Sequence, residues 1–145
     1  MTTIARYAQL LLPAFWLGMV VAISFLEAPI KFRAPGVTLP IGLGIGRLVF
    51  KALNGVEIVL ALALWVSCMS ARPGVAGLIP LASATIVLLI QVFVVRPPLS
   101  RRSDRVLAGE TVPHSQAHWV YVALELVKVG ALVALAAIFT AGVIG

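Results

Sequence analysis

The sequence predicts an all-α fold, a four-helix bundle embedded in a membrane. Three observations carry that expectation. The 145 residues are 61% hydrophobic, with a mean hydropathy of +1.10, and only 11% are charged, against about 25% in soluble domains. Four apolar runs reach the roughly 20 residues that a helix needs to cross a bilayer. No long alternation of apolar and polar residues competes with them, which argues against a β-barrel. A chain so poor in charge cannot present a water-compatible surface. A single transmembrane domain over residues 1–145 is expected, with no separate soluble part.

The first span covers about residues 9–30. Its apolar stretch is too long for a signal peptide, and no A-x-A site with a polar continuation comes after it. Pro35, Gly36 and Pro40 then break a Gly-rich loop over residues 31–47. The second span runs over about 48–70, and a tight turn at Arg72, Pro73 and Gly74 leads into the third, about 75–95. A long basic loop that begins RPPLSRRSDR is expected over 96–117, before the fourth span at 119–143. The single cysteine, Cys68, excludes an intramolecular disulfide and reads as a small core residue.

The formal charge of +6 falls in short connections rather than on a nucleic-acid-binding face. Lys31, Arg33 and Arg47, with Lys51 close by, flank the first loop, and Arg96, Arg101, Arg102 and Arg105 occupy the third; the opposite side holds only Arg6 and Arg72. Basic loops stay in the cytoplasm. Both termini are therefore expected on the non-cytoplasmic side of what reads as a bacterial cytoplasmic membrane. The arginines of loop three also suit anionic lipid headgroups.

Ionisable residues inside such spans are costly and mark function by default. They share one depth here. Glu27 lies near the basic end of the first span, with Ser24 one turn deeper. Lys51, Asn54 and Glu57 open the second span, Gln91 lies late in the third, and Tyr121, Glu125 and Lys128 lie early in the fourth. Glu125 is roughly 9 Å into its span at 1.5 Å per residue, and Glu57 lies somewhat deeper in its own. His114, His118, Tyr121, Glu125 and Lys128 step by four, three, four and three, within an arc of roughly 80°. Arg47, Lys51, Asn54 and Glu57 fall within roughly 120°. The two stripes are expected to face each other, either as a polar chamber or as ion pairs, such as Glu57 with Lys128, that fix helix register.

Sharper chemistries find little support. His114 and His118 have i,i+4 spacing, but a third metal ligand is missing and Ser115 competes to cap the helix. A bis-histidine haem needs ligands from opposite faces. The glycines of GLGIG lack the spacing and the strand–helix setting of a nucleotide loop, and read as a flexible lead into the second helix. No metal and no cofactor is expected.

EAPIKFR after the first span, GRLVF opening the second and SQAHWVYVALELVK at the fourth resemble the small four-helix membrane family that includes transmembrane protein 205 and bacterial relatives, a domain of unknown function. The outline is also similar to anthrone-oxygenase-like membrane proteins. The first resemblance implies a membrane fold with a polar cytoplasmic end and no particular reaction.

The leading expectation is a binding or transport protein. Its ligand-binding residues would be Glu27, Arg47, Lys51, Asn54, Glu57, Gln91, His118, Tyr121, Glu125 and Lys128, around a small polar or amphiphilic ligand. One alternative is a membrane-embedded enzyme using His118, Tyr121 and Glu125 as acid–base groups on a lipid-soluble substrate. Another is a homo-oligomer or an accessory subunit of a larger membrane complex.

Overall fold

The computed structural model describes residues 2–110 and 116–144, with residues 116–118 described by their backbone alone. It contains four helices long and apolar enough to cross a membrane. They are α1 (Thr2–Arg33), α2 (Leu39–Ser70), α3 (Val75–Leu107) and α4 (Gln116–Ile144). Helix α4 packs against α1 and α3; α1 also packs against α2, and α2 meets α3 chiefly through the segment Arg96–Leu107.

The bundle is apolar outside, and its buried charged groups lie at one level inside. Leu48, Val59, Leu62, Met69, Ile79 and Phe93 are all exposed, as a lipid-facing surface requires. The inner apolar core joins Trp16 and Val20 of α1, Leu60 and Leu64 of α2, Leu81 and Leu88 of α3, and Leu132, Leu135 and Phe139 of α4. The end of the bundle near the Ala71 turn is tied by two contacts. Gln9 there donates to the Ala71 carbonyl at 2.7 Å, and the Phe139 ring packs on Gly77 where a larger residue would not fit.

Helix ends differ from those the sequence suggests. Helix α2 starts at Leu39 rather than about residue 48, so GLGIG is helical and not a flexible loop. Thr38 caps it, its Oγ1 accepting from the Ile41 N–H at 3.4 Å, and Pro40 sits in the first turn, where its missing N–H costs nothing. The glycines serve close approach instead of flexibility. A Cβ on Gly42 would strike the Phe32 ring, and one on Gly46 would lie 2.6 Å from Lys31 Nζ. Helix α3 does not stop near residue 95 but continues to Leu107, converting most of the expected third loop into helix. Helix α1, too, is longer at both ends, from Thr2 to Arg33.

Prolines explain how α1 and α3 continue. Pro29 and the pair Pro97 and Pro98 cannot donate a backbone hydrogen bond, and in regular α winding their rings meet the carbonyls of Phe25, Phe93 and Val94. The structure relieves this just upstream with wider π-helical turns over Val21–Glu27 and Gln91–Val95. Such turns often accompany functional sites, and both lie at the level of the buried polar groups.

Candidate ligand-binding site

The polar groups assemble around Lys128. Its Nζ lies 2.6 Å from Glu57 Oε2 and 2.6 Å from Glu125 Oε1, and donates to Gln91 Oε1 at 2.8 Å. Lys128, Glu57 and Gln91 are completely buried and Glu125 nearly so. Trp16 Nε1 donates to Glu57 Oε2 at 2.7 Å, and Ser24 Oγ donates to Glu125 Oε2 at 2.9 Å. Every helix thus contributes a group. Removing both members of such a pair from water is expensive, and short contacts with further donors offset that cost.

The cluster continues toward the basic end through Asn54. With its amide turned to satisfy both neighbours, Asn54 donates to Glu57 Oε1 at 3.2 Å and accepts from Arg96 at 3.1 Å. Arg96 also donates to the Arg47 carbonyl at 3.0 Å and stacks over the Phe50 ring, 5.8 Å from its centre. A chain of polar contacts therefore runs from Lys128 to a guanidinium at the mouth of the bundle.

Arg96 borders an open cavity of about 460 Å³ lined by all four helices, within the roughly 300–1,000 Å³ typical of small-molecule sites. Its basic lining comprises Lys31, Arg47, Arg96 and Arg102. Its apolar walls include Phe25, Phe32, Phe50, Leu99 and Val122, and its inner wall is formed by Ser24, Tyr121 and Glu125. Tyr121 packs edge-on against Phe50, ring centres 5.8 Å apart. The buried Tyr121 hydroxyl lies near Arg96 without a well-formed hydrogen bond, and Glu125 Oε1 touches Lys128 in ion-pair contact alone.

The expected residues divide between cavity, buried cluster and surface. Arg47, Tyr121 and Glu125 line the cavity, Arg47 also pairing with Asp104. Asn54, Glu57, Gln91 and Lys128 lie behind it, in the cluster. The Glu57–Lys128 pair expected from sequence is present. Glu27 is beside the cavity, its carboxylate 3.9 Å from Lys31. Lys51 departs from the expected stripe: it is exposed and does not line the cavity. It sits roughly 120° around α2 from Glu57, at the edge of the polar arc, where a long side chain can reach outward. His118 falls in the first turn of α4 with its side chain outside the description, and His114 lies outside the described residues. Among the described residues no three potential metal ligands cluster.

Sequence patterning underweights Trp16, Lys31, Arg96 and Arg102. It offers Arg96 and Arg102 to lipid headgroups, yet both face the cavity, while Arg101 and Arg105 are exposed. One signal for Lys31 is present in EAPIKFR, which sets it four residues after Glu27, one helical turn away. No family model, no curated protein and no solved structure matches this chain.

Proposed function

We propose that this protein is an integral membrane binding or transport protein whose chamber receives a small amphiphilic ligand bearing an anionic group. The observation that carries this reading is the cavity itself, where four basic side chains surround a pocket with aromatic and aliphatic walls. A guanidinium matches a carboxylate or phosphate with two parallel donors. The apolar walls suit a hydrocarbon or aromatic body. The basic end of the bundle is placed in the cytoplasm on charge bias, with the residues near both chain ends on the opposite side. The contacts around Gln9, Gly77 and Phe139 lie at the opposite end of the bundle from the cavity.

Arg96 offers the sharpest test. Wild-type protein and Arg96→Gln would be purified from native membranes and their co-purifying small molecules identified by mass spectrometry. Losing a charge-assisted contact of about 1.5–3 kcal/mol should reduce occupancy roughly 10- to 150-fold. An anionic amphiphile retained by wild type and lost from a folded variant supports the reading. Equal retention by both proteins contradicts it.

A second reading, an enzyme acting on a lipid-soluble substrate, draws on the buried Tyr121 hydroxyl beside Glu125 on the cavity wall. Chemical change of the bound molecule by wild type, abolished in Tyr121→Phe with binding retained, would favour it over simple binding.

A further inference from the structure

We infer that an anion entering the cavity is bound together with one proton, which is held by the carboxylate of Glu125. This rests on the proposed anion-binding function and adds to it a coupling between the cavity and the buried cluster. Charge counting motivates it. Glu57 and Glu125 are two carboxylates on one ammonium, Lys128, at 2.6 Å each. The next positive charge is Arg96, which reaches Glu57 through Asn54. With Arg96 at the mouth included, these four groups are neutral, and of the other cavity bases Lys31 stands beside Glu27 and Arg47 beside Asp104.

Arg96 is also on the cavity wall. An anion bound there shares the guanidinium that balances Glu57, leaving two carboxylates against Lys128. An unbalanced charge at such depth is costly. One proton restores neutrality. Glu125 is the carboxylate placed to take it, because it borders both the cavity and the cluster. A protonated Glu125 also gains an O–H that can donate to the incoming anion. Beside it, the Tyr121 hydroxyl is buried and without a well-formed hydrogen bond. An ionised Glu125 would instead repel the anion. The proton enters from water at the cavity mouth and adds to a carboxylate oxygen, and no other bond forms or breaks.

The groups that face Glu125 from each helix are consistent with this exchange. Ser24 on α1 donates to Glu125 Oε2, and Glu27 and Lys31 lie one and two turns further along. Glu57 and Arg47 approach from α2, Gln91, Arg96 and Arg102 from α3, and Tyr121 and Lys128 along α4 itself. Among the described residues, Glu57 and Glu125 are the two carboxylates in contact with Lys128.

The test uses hexanoate, a water-soluble carboxylate with a short apolar chain, and full-length protein in phosphatidylcholine nanodiscs. Titration calorimetry in two buffers of different ionisation enthalpy counts the protons taken up on binding. Between about pH 6 and 8.5 hexanoate stays ionised, so its own titration does not intervene. Wild type should take up close to one proton per hexanoate, and its affinity should fall about tenfold for each pH unit at the alkaline end. Glu125→Gln should bind hexanoate without proton uptake and with an affinity that does not change with pH. Binding by wild type without proton uptake overturns the coupling and leaves the anion site standing. Absence of hexanoate binding to folded wild type at every pH overturns the anion site and the coupling with it. Should Glu125→Gln fail to fold, the wild-type buffer comparison alone decides.

Discussion

Replacing Lys128 with methionine removes the ammonium that Glu57 and Glu125 both reach at 2.6 Å and that Gln91 accepts from at 2.8 Å. Methionine matches the length of the lysine stem, so the loss is one of charge rather than volume. Breaking a buried pair from one side costs about 3–5 kcal/mol, because the partner charge is stranded. Here two carboxylates are stranded, so the upper part of that range applies at neutral pH. The upper part, about 4–5 kcal/mol, is a factor of roughly 900 to 5,000 in the folded-to-unfolded ratio at 1.36 kcal/mol per decade. Protonating the carboxylates neutralises them, so the cost should shrink as the pH is lowered. The triple variant Glu57→Gln, Glu125→Gln, Lys128→Met removes all three charges, and replacing a whole buried charge set is often neutral or stabilising. Unfolding in mixed micelles, followed by circular dichroism across a denaturing-detergent series, would give the free energies. A cost below about 1 kcal/mol for Lys128→Met, or a triple variant as unstable as the single one, would refute the claim that these charges hold one another in place.

Trp16→Phe deletes the donor 2.7 Å from Glu57 and should lower stability by about 1.5–3 kcal/mol in the same assay, as expected for a hydrogen bond to a charged group. Gly77→Ala should cost about 1–3 kcal/mol because its Cβ would press on the buried Phe139 ring. Gly55→Ala, in open space within α2, should instead gain about 0.5–1 kcal/mol from helix propensity; equal effects at the two glycines would contradict the packing described. Lys51→Gln should leave hexanoate affinity unchanged, since Lys51 is exposed and away from the cavity, and a loss comparable to that of Arg96→Gln would move the site. Single cysteines placed near residues 36 and 142 in a Cys68→Ser background should show labelling from outside intact cells at 142 only, and the reverse pattern would invert the bundle.

Much of the fold is legible in the sequence because bilayer thickness and apolar run length are tightly linked. The ends of α2 and α3 are not, because glycine and proline look locally like breakers. At Gly42 and Gly46 the small residues admit Phe32 and Lys31 from another helix, Pro40 occupies the first turn of α2 where no hydrogen bond is lost, and a wider π-helical turn over Gln91–Val95 accommodates Pro97 and Pro98. Those are tertiary facts that local propensity does not contain. In the candidate site, angular spacing is enough to bring Asn54, Glu57, Tyr121, Glu125 and Lys128 together. The longer third helix is what carries Arg96 and Arg102 over the chamber mouth. If that segment were a loop, their positive charges would have only topology or lipid contacts to serve.

That the cavity bordered by Arg96, Tyr121 and Glu125 binds an anionic amphiphile is tested most directly by an experimental structure of the protein extracted from native membranes without detergent exchange. The expected result is density in the cavity for an elongated molecule, its polar head against Arg96 and Tyr121 and its apolar part along Phe32 and Phe50. A cavity filled by a helix or loop of another protein would contradict that claim and identify this bundle as a subunit of a larger complex.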